Sequence, residues 1–419
     1  MHDSDHSSAD AWHGPDTLPG MTNLHSHAFQ RAMAGLAERR GQGDDSFWTW
    51  RETMYAFASR IGPDDLQAIA AQLYVEMLKA GYTHVCEFHY LHHRPDGAPY
   101  ADAAAMSKAI VAAAEEAGIG LTLLPVLYMT GGFDARPLEP RQRRFGHTLN
   151  AYLALLETLR AKQSAQRRVG VAFHSLRAVQ PDALHAVLDS GLIDDGPIHI
   201  HIAEQTAEVE ACLAARGARP VRWLLDNLPV DARWCLVHAT HMTDDETRRM
   251  AQSGAVAGLC PTTEASLGDG LFPLVDYLEV DGALGIGSDS HISVSPVEEL
   301  RWLEYGQRLV THRRAVATRA PGDSVGETLW PLAVAGGLRA AGLSSEAVAD
   351  NRLRLDTASP LLAARDERHR LDSFLFAGNT PLVRDLCVAG REVVHDFHHA
   401  DEERIAARYR RVVEALAAS

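Results

Sequence analysis

The chain has 419 residues, of which 46% are hydrophobic and 23% are charged, as is usual for a globular protein. Its 40 basic and 55 acidic side chains give a formal net charge of −15, which disfavours nucleic acids and anionic membranes as main partners. Only three basic residues are lysines, at positions 79, 108 and 162, and none precedes Ser or Thr, which excludes a P-loop for phosphate.

Short apolar segments alternate with longer amphipathic or Ala/Leu-rich segments through most of the chain. The predicted strands are 21–28, 83–90, 121–128, 169–175, 197–203, 234–240, 255–260 and 283–290. The predicted helices between them include 63–80, 102–117, 148–162, 181–190, 206–227 and 243–253. Strands separated by helices indicate parallel β-α-β units, and eight such strands predict a closed (β/α)8 barrel. An open doubly wound sheet is the alternative, although the Gly-rich fingerprint typical of its first turn is missing from the sequence.

The sequence changes character after about residue 350. Segments 374–378 and 386–394 are predicted strands around Gly turns, and a helix is predicted over 401–418. Two polar segments, 41–45 and the arginine-rich 141–144, are predicted to be exposed loops.

Cysteine usage and the first residues indicate the compartment. The five cysteines, at 86, 212, 235, 260 and 387, are odd in number and widely spaced, with no C-x-x-C pair. A disulfide framework is therefore not expected, and a reducing compartment fits. The N-terminus carries acids and no apolar run, unlike a signal peptide, and no stretch has the length and hydrophobicity of a membrane span. We expect a cytoplasmic protein.

Histidines recur at the predicted strand ends. His25 and His27 lie two apart on the first strand, which places both side chains on one face, although a surface His-Ser-His would look the same. His199 and His201 repeat this spacing on the fifth strand. His201 is nearer the strand end, so His199 is expected one layer deeper, with a structural role. Glu204 follows just beyond the same strand.

His238 and Asp289 end two further predicted strands. Active sites of barrels lie at the carboxyl ends of the strands, where buried ionisable groups rarely occur without partners. Three neutral imidazoles and one carboxylate suit Zn²⁺ or another borderline divalent ion, which would lower the pKa of a bound water toward neutrality. Glu204 and His238 then remain for proton transfer. Such a set is typical of hydrolysis at an sp² carbon.

The order H-x-H, His, His and Asp along successive strands resembles the amidohydrolase superfamily. Some members hold two metal ions bridged by a carbamylated lysine after the fourth strand. Here that strand ends at His174 and no lysine follows Lys162, so a single metal ion is expected. The metal ligands implied by the resemblance are His25, His27, His201 and Asp289.

The same resemblance implies roles in proton transfer. Asp289 would take a proton from the attacking water, and His238 would orient or polarise that water. Glu204 would pass a proton to the departing nitrogen, so that ammonia leaves. No role follows for His241 and His291, although each lies close enough along the chain to a site residue to orient an imidazole.

Segments 19–38, 199–205 and 285–308 resemble more specifically one deiminase family of this superfamily. The resemblance implies hydrolysis of N-formimino-L-glutamate to N-formyl-L-glutamate and ammonia, in histidine degradation. A dicarboxylate substrate requires cations in the barrel mouth, for which Arg51 and Arg177 are the candidates. A charge on a helix surface is the alternative for Arg51. Gln30, Tyr90 and His174 also match family positions and would complete the site for the glutamate moiety.

The chain ends depart from the family pattern. Members usually have a longer N-terminus, whose strands pair with C-terminal strands in a small β-sandwich. We therefore predict a barrel over 20–345 and a truncated β-sandwich formed by 1–19 and 346–419, which includes the C-terminal helix. A second subunit would cover its edge strands, so a homodimer is expected, and a misassigned start codon is the rival explanation. Ser266 stands where Asn is expected.

Two other functions remain open from the sequence. A related deaminase acting on a cyclic or guanidino amidine would need aromatic or amide groups around the substrate, whereas two arginines favour an acyclic dicarboxylate. A catalytically silent barrel would have lost at least one site group, and the sequence retains all of them.

Overall fold

The described part of the chain, residue 12 with residues 14–38 and 47–418 of a computed structural model, contains a parallel barrel sheet and a small antiparallel sheet. The first strand, β1 (Thr17–Pro19), belongs to the small sheet. The barrel strands are β2 (Met21–Ser26), β3 (Tyr82–His89), β4 (Gly120–Leu127), β5 (Arg167–Val169), β6 (Val171–Phe173), β7 (Ile198–Ile202), β8 (Trp234–His238), β9 (Val256–Leu259) and β10 (Ala283–Ile286).

The barrel closes between its last and first strands. The strands pair in parallel in the order β2-β3-β4-β6-β7-β8-β9-β10, and β5, which precedes β6 with Gly170 between them, also pairs with β4. The Asp289 backbone N donates to His25 O at 3.0 Å, and the His27 backbone N donates to Asp289 O at 3.2 Å. Gly287 permits this approach, because a Cβ there would lie 2.8 Å from the backbone N of His25. The predicted (β/α)8 barrel is confirmed, and the open-sheet alternative is wrong.

Helices follow the strands around the barrel. They are α1 (Phe47–Ala58), α2 (Pro63–Ala80), α3 (Ala105–Ala117), α4 (Leu149–Arg160), α5 (Pro181–Leu188), α6 (Thr206–Arg216), α7 (Pro220–Asn227), α8 (Asp244–Ser253), α9 (Pro261–Leu267), α10 (Leu274–Glu279), α11 (Pro296–Thr311) and α12 (Val325–Ala340). The prediction of one helix over 206–227 is wrong. Gly217, at φ +69°, ends α6 in the left-handed region, and Pro220 begins α7 with its fixed φ.

The C-terminal end of α12 closes the amino-terminal end of the barrel. His199 Nε2 donates to Ala340 O at 2.7 Å, and Thr122 Oγ1 donates to Ala341 O at 2.9 Å. Gly336 allows α12 to lie against β10, because a Cβ at that position would lie 1.8 Å from Leu284 O. The barrel is therefore open to ligands from its carboxyl end.

The small sheet has five antiparallel strands in the order β1-β11-β12-β13-β14. Its other strands are β11 (Arg352–Leu355), β12 (Val383–Val388), β13 (Arg391–His395) and β14 (His398–His399). Two helices accompany it, α13 (Glu367–Phe376) and α14 (Glu402–Ala418), and α14 packs against α2 of the barrel. The predicted combination of a barrel with a small β domain from both chain ends is confirmed.

The predicted strand over 374–378 is wrong. Residues 374–376 are the last residues of α13, which begins after Asp366, whose side chain accepts the backbone N–H of His369 at 3.1 Å. Phe374 packs against Trp330 of α12, with ring centroids 5.4 Å apart. Burial against α12 therefore explains this short apolar run without a strand.

The predicted exposed loop over 141–144 is wrong in part. Residues Pro140–Phe145 form a 3-10 helix in which Arg141 and Arg143 are exposed but Arg144 is only 2% exposed. The other predicted loop, 41–45, lies outside the described residues.

The cysteines and the helices bear on the expectations about disulfides and membrane spans. All five cysteines are buried and free, and all lie in the described part of the chain. Among the described residues, no helix combines the length and the apolar character that a membrane crossing requires.

Candidate active site

The four predicted metal ligands converge at the carboxyl end of the barrel. His25 is the penultimate residue of β2, His27 follows that strand, His201 lies in β7, and Asp289 follows β10. The Nε2 atoms of His25 and His201 are 3.0 Å apart. Asp289 Oδ1 lies 3.3 Å from the Nε2 of His27 and 3.6 Å from the Nε2 of His25. Among the described residues, the ligand atoms of His25, His27 and Asp289 lie within 4.8 Å of one another. Those of His25, His201 and His238 form a second such group, so the two groups share His25.

The electrostatics of this cluster suit a divalent cation. Burial lowers the pKa of His27 to about 3 and lowers the pKa values of His25 and His201 well below the usual value for histidine. Neutral imidazole is the form that binds metals. The carbonyls of Phe88 and His174 accept from the Nδ1 atoms of His27 and His201 at 2.9 and 3.0 Å, respectively. These bonds direct the Nε2 lone pairs of both rings inward, so the donor set fits a metal ion.

The backbone around the H-x-H segment is held by groups that the sequence analysis did not assign. Ser26 Oγ donates to Glu87 Oε2 at 2.6 Å, and Ala28 N donates to Glu87 Oε1 at 2.7 Å. His27 N donates to His291 Nε2 at 3.2 Å. The available signal for Glu87 was that it is the single acidic residue in the predicted strand 83–90. His291 therefore supports a predicted ligand through its backbone.

The predicted proton-transfer groups lie beside this cluster. His238 Nε2 is 3.8 Å from Glu204 Oε1 and 3.8 Å from Asp289 Oδ2. Burial alone would lower the pKa of His238, but Glu204, Glu264 and Asp289 outweigh it and raise the pKa to about 10. Burial also raises the pKa of Asp289 to about 7. This part of the barrel mouth thus combines a cationic imidazole with the Asp289 carboxyl group, which can hold a proton near neutral pH.

Five of the 14 described non-glycine residues with positive φ lie at or just after the same strand ends. Ala203, His238, Ala239, Asp289 and His291 all have positive φ values, between +46° and +68°. Non-glycine residues adopt this region at a cost in free energy, and they persist there where the surroundings hold them. Such strain is typical of functional sites.

A cavity of about 590 Å³ opens onto the cluster. Three of the predicted metal ligands and all the predicted catalytic groups line it, and so do all five predicted substrate-binding residues, Gln30, Arg51, Tyr90, His174 and Arg177. Gln30 Nε2 donates to Tyr90 Oη at 2.8 Å. The cavity therefore combines carboxylates, imidazoles and arginines around one space.

Further acidic groups near the site were missed from the sequence. Glu264, in the first turn of α9, lies 3.2 Å from His238 Nδ1. Glu208 accepts from Ala203 N at 3.3 Å and Glu204 N at 3.1 Å, and it lines the cavity. Its position four residues after Glu204 was the available signal, because that spacing brings side chains together on a helix.

Several other histidines lie away from the cavity. His199 lies a layer deeper, as predicted, with its Nε2 bonded to the end of α12. His89, His92 and His93 instead pack beside His147, with ring centroids of neighbours 4.3–6.3 Å apart. None of these four is among the cavity-lining residues in the described structure.

Sequence and structure were compared with known proteins. The sequence model of the amidohydrolase family matches residues 17–321. The formimidoylglutamate deiminase of Pseudomonas aeruginosa is 55% identical over 408 residues, which cover 96% of this chain and 90% of that protein. The 5-methylthioadenosine/S-adenosylhomocysteine deaminase of Natronomonas pharaonis is 26% identical over 384 residues, covering 90% of this chain and 81% of that protein.

A solved structure extends the similarity to three dimensions. The crystal structure of an amidohydrolase from Brucella melitensis superposes with a TM-score of 0.90 at 46% identity, and it covers 96% of this chain and 90% of that chain. The similarity therefore includes the small sheet as well as the barrel.

Proposed function

The chain belongs to the amidohydrolase family, and on that premise we propose that it hydrolyses N-formimino-L-glutamate to N-formyl-L-glutamate and ammonia in histidine degradation. The 55% identity to a formimidoylglutamate deiminase supports this substrate. The cavity of about 590 Å³ carries the proposal, because it joins the catalytic cluster to Arg51 and Arg177. A bound dicarboxylate would thus have its formimino group within reach of the cluster.

We propose that His25, His27, His201 and Asp289 hold one divalent metal ion. Zn²⁺ fits best, because neutral imidazoles with a carboxylate are its usual ligands, and the sequence has no lysine at the position that a bridged pair of ions requires. When bound, the ion supplies a Lewis acid that activates water near neutral pH. Metal analysis of the purified protein should find one ion per chain, and two ions would contradict the single site.

The chain's own residues would move the protons. Asp289 takes one proton from the water that attacks the formimino carbon, and His238 orients that water from its Nε2 side, 3.8 Å from Asp289 Oδ2. Glu204 would protonate the terminal nitrogen as the water adds and the C=N bond becomes single. The proton held by Asp289 would reach the same nitrogen as its bond to carbon breaks, and the hydroxyl oxygen would return its proton to Glu204, so ammonia leaves in place of an amide anion. The carbon keeps its bond to the glutamate nitrogen, which gives the N-formyl product.

Arginines would orient the substrate. The guanidinium fork binds a carboxylate through two parallel hydrogen bonds, and Arg51 and Arg177 both face the cavity. Gln30, Tyr90 and His174 complete the same wall. This local positive charge opposes the net charge of −15 on the whole chain.

The test is ammonia release from N-formimino-L-glutamate by metal-loaded protein, with Glu204→Gln as the inactive comparison. A cyclic amidine is the competing substrate, because the cavity also has an aromatic lining of Trp50, Tyr55, Tyr90, Tyr128 and Phe145. Release from N-formimino-L-glutamate that E204Q abolishes would support the proposal. Release from a cyclic amidine alone would overturn it.

We also propose the predicted domain division, with residues 20–345 as the barrel domain and the two chain ends as the small β domain. Of the predicted end segments 1–19 and 346–419, residues 1–11, 13 and 419 lie outside the described part of the chain.

We further propose that the protein is a homodimer. An apolar face of α11 supports the dimer, because Trp302, Tyr305 and Leu309 follow helical spacing and are 42%, 37% and 72% exposed. Sedimentation of wild type and Leu309→Glu should give dimer and monomer, respectively. Monomeric wild type would contradict the dimer.

A cytoplasmic location is the last part of the proposal. Five free, buried thiols fit a reducing compartment, where cysteines stay unpaired. Cell fractionation with antibody detection should place the protein in the cytoplasmic fraction, and recovery with membranes or in the medium would contradict this.

A further inference from the structure

Glu264 connects helix α9 to the imidazole of His238. The carboxylate is only 4% exposed, and its Oε1 accepts the backbone N–H of Cys260 at 2.9 Å. The same oxygen lies 3.2 Å from His238 Nδ1, within hydrogen-bond distance. A buried carboxylate thus faces the ring nitrogen that points away from the reacting groups.

The other nitrogen of the ring faces the site. His238 Nε2 lies 3.8 Å from both Glu204 Oε1 and Asp289 Oδ2. The backbone of His238 has a φ of +68°, so the chain turns at this residue and the strand alone does not hold the ring. The contact with Glu264 lies on the opposite side of the ring, at Nδ1.

We propose that Glu264 is a positioning residue that fixes the ring orientation of His238 by accepting its Nδ1–H. An ionised carboxylate only accepts hydrogen bonds, so the bond has a single polarity, with Nδ1–H as donor. A carboxamide there could present either its oxygen or its NH₂ group to the ring. The inference rests on the proposed function only where it predicts turnover.

The expected effect is on kcat. Loss of a group that orients a functional imidazole typically reduces activity by ~10–100-fold. Glu264→Gln keeps an acceptor oxygen but loses the fixed polarity, and Glu264→Ala removes the contact altogether. We therefore expect kcat to fall ~10-fold in E264Q and ~100-fold in E264A, with KM changed by less than about threefold in both.

Glu299, on α11, offers a matched control that contacts the same helix, α9. Its carboxylate is fully buried and accepts the backbone N–H of Thr262 at 2.9 Å and the Thr262 hydroxyl at 2.6 Å. Glu299→Gln therefore replaces a buried carboxyl group beside the first turn of α9 without touching His238. E299Q should lower the Tm as E264Q does, but it should leave kcat within about threefold of wild type.

A spectroscopic measurement separates positioning from turnover. In zinc-loaded protein with ¹⁵N-labelled histidine, the Nδ1–H resonance of His238 is identified by its loss in His238→Gln. That resonance should lie downfield in wild type and E299Q and move upfield in E264Q, because a hydrogen bond to a carboxylate is stronger than one to an amide. If wild type releases no ammonia from N-formimino-L-glutamate, the proposed function fails while this test still stands.

Three results would overturn the positioning role. One is equal kcat in E264Q and E299Q. Another is an unmoved His238 resonance in E264Q. The third is loss of the metal ion in E264Q, which would show that Glu264 is itself a metal ligand. Glu264, His238 and Cys260 do form a group whose ligand atoms lie within 4.8 Å of one another.

Discussion

The Nε2 atoms of His25 and His201 face each other at 3.0 Å, although 176 positions separate the two residues along the chain. Burial lowers the pKa of both imidazoles, so both are neutral near pH 7. Each can then offer a lone pair to the same cation. Barrel closure creates this relationship, because β2 and β7 contribute side chains to one mouth.

The first prediction concerns metal affinity. Replacing His25 with Gln should weaken metal binding by at least ~10–100-fold, the range found when groups that merely orient ligands are lost. The variant should lose activity in proportion, because the remaining ligands leave the cluster incomplete. Metal content after dialysis against a chelator of known affinity measures the effect.

His199→Gln is the control for that variant. His199 is buried one layer below His201 and donates to Ala340 O at 2.7 Å. H199Q should bind metal as wild type does and should lose only ~1–3 kcal/mol of unfolding free energy through the lost hydrogen bond. Equal metal affinity in H25Q and H199Q would contradict the assignment of His25.

The second prediction concerns substrate carboxylates. Arg51→Ala should raise KM for N-formimino-L-glutamate by ~10-fold or more while kcat changes less, because a lost bidentate contact costs about 1.5–3 kcal/mol of binding. Steady-state kinetics measures both constants. A lower kcat at unchanged KM would show instead that Arg51 acts in the chemical step.

Arg136 provides the comparison for Arg51. It lines the same cavity, but its Nη1 pairs with Asp134 Oδ1 at 3.3 Å, and both side chains are exposed. Arg136→Ala should therefore change KM by less than about threefold. A KM change as large as that of R51A would indicate that Arg136 binds a substrate carboxylate.

Local patterns explain why the barrel and the cluster could be predicted. Strand–helix alternation is readable over short segments, and period two places His25 and His27 on one face of β2. Parallel strands in a barrel share one mouth, so residues at separate strand ends could be brought together without knowing any distance.

Long-range contacts explain what could not be predicted. Glu87 and Ser26 are 61 positions apart along the chain, and Glu264 and His238 are 26 positions apart. Neither contact can therefore be recognised from a local sequence pattern. Arg144 is buried while its guanidinium donates to distant backbone carbonyls. The sequence does not reveal these hydrogen bonds. The run at 374–376 is too short to show a period, and its burial against Trp330 depends on how α12 and α13 pack.

The third prediction concerns Arg144. Its guanidinium donates to Ala58 O, to Ile61 O at 2.9 Å and to His93 O at 3.1 Å, and so holds the C-terminal end of α1. Arg51 of that helix lines the cavity. Arg144→Met should raise KM by ~10-fold and should lower the unfolding free energy by ~1–3 kcal/mol, because buried carbonyls lose their donor. Kinetics and urea unfolding measure the two effects.

Arg143 is the neighbour that controls for this variant. It lies on the same turn but is exposed. Arg143→Met should leave KM unchanged. Its unfolding free energy should stay within about 0.5 kcal/mol of that of wild type, as for most surface substitutions. If R144M destabilises the protein with KM unchanged, Arg144 supports the fold but does not position the cavity wall.

The fourth prediction concerns stability in acid. Burial lowers the pKa of His84 to about 3, while His84 Nε2 lies 2.9 Å from Thr122 Oγ1, within hydrogen-bond distance. The unfolded chain binds a proton at this residue below about pH 6.5, whereas the folded chain does so only near pH 3. The unfolding free energy should therefore fall as the pH falls through this window. One such group contributes a slope of up to ~1.4 kcal/mol per pH unit.

His84→Gln should remove that contribution. Its urea-derived unfolding free energy should fall less steeply than that of wild type between pH 6.5 and 4, because Gln takes up no proton on unfolding. His185→Gln is the control, since His185 is exposed on α5. Because His84 lies near the start of β3, away from the metal ligands, the slope difference reports on burial and not on metal release. Parallel curves for H84Q and wild type would show that the pKa of His84 is the same in the folded and the unfolded protein.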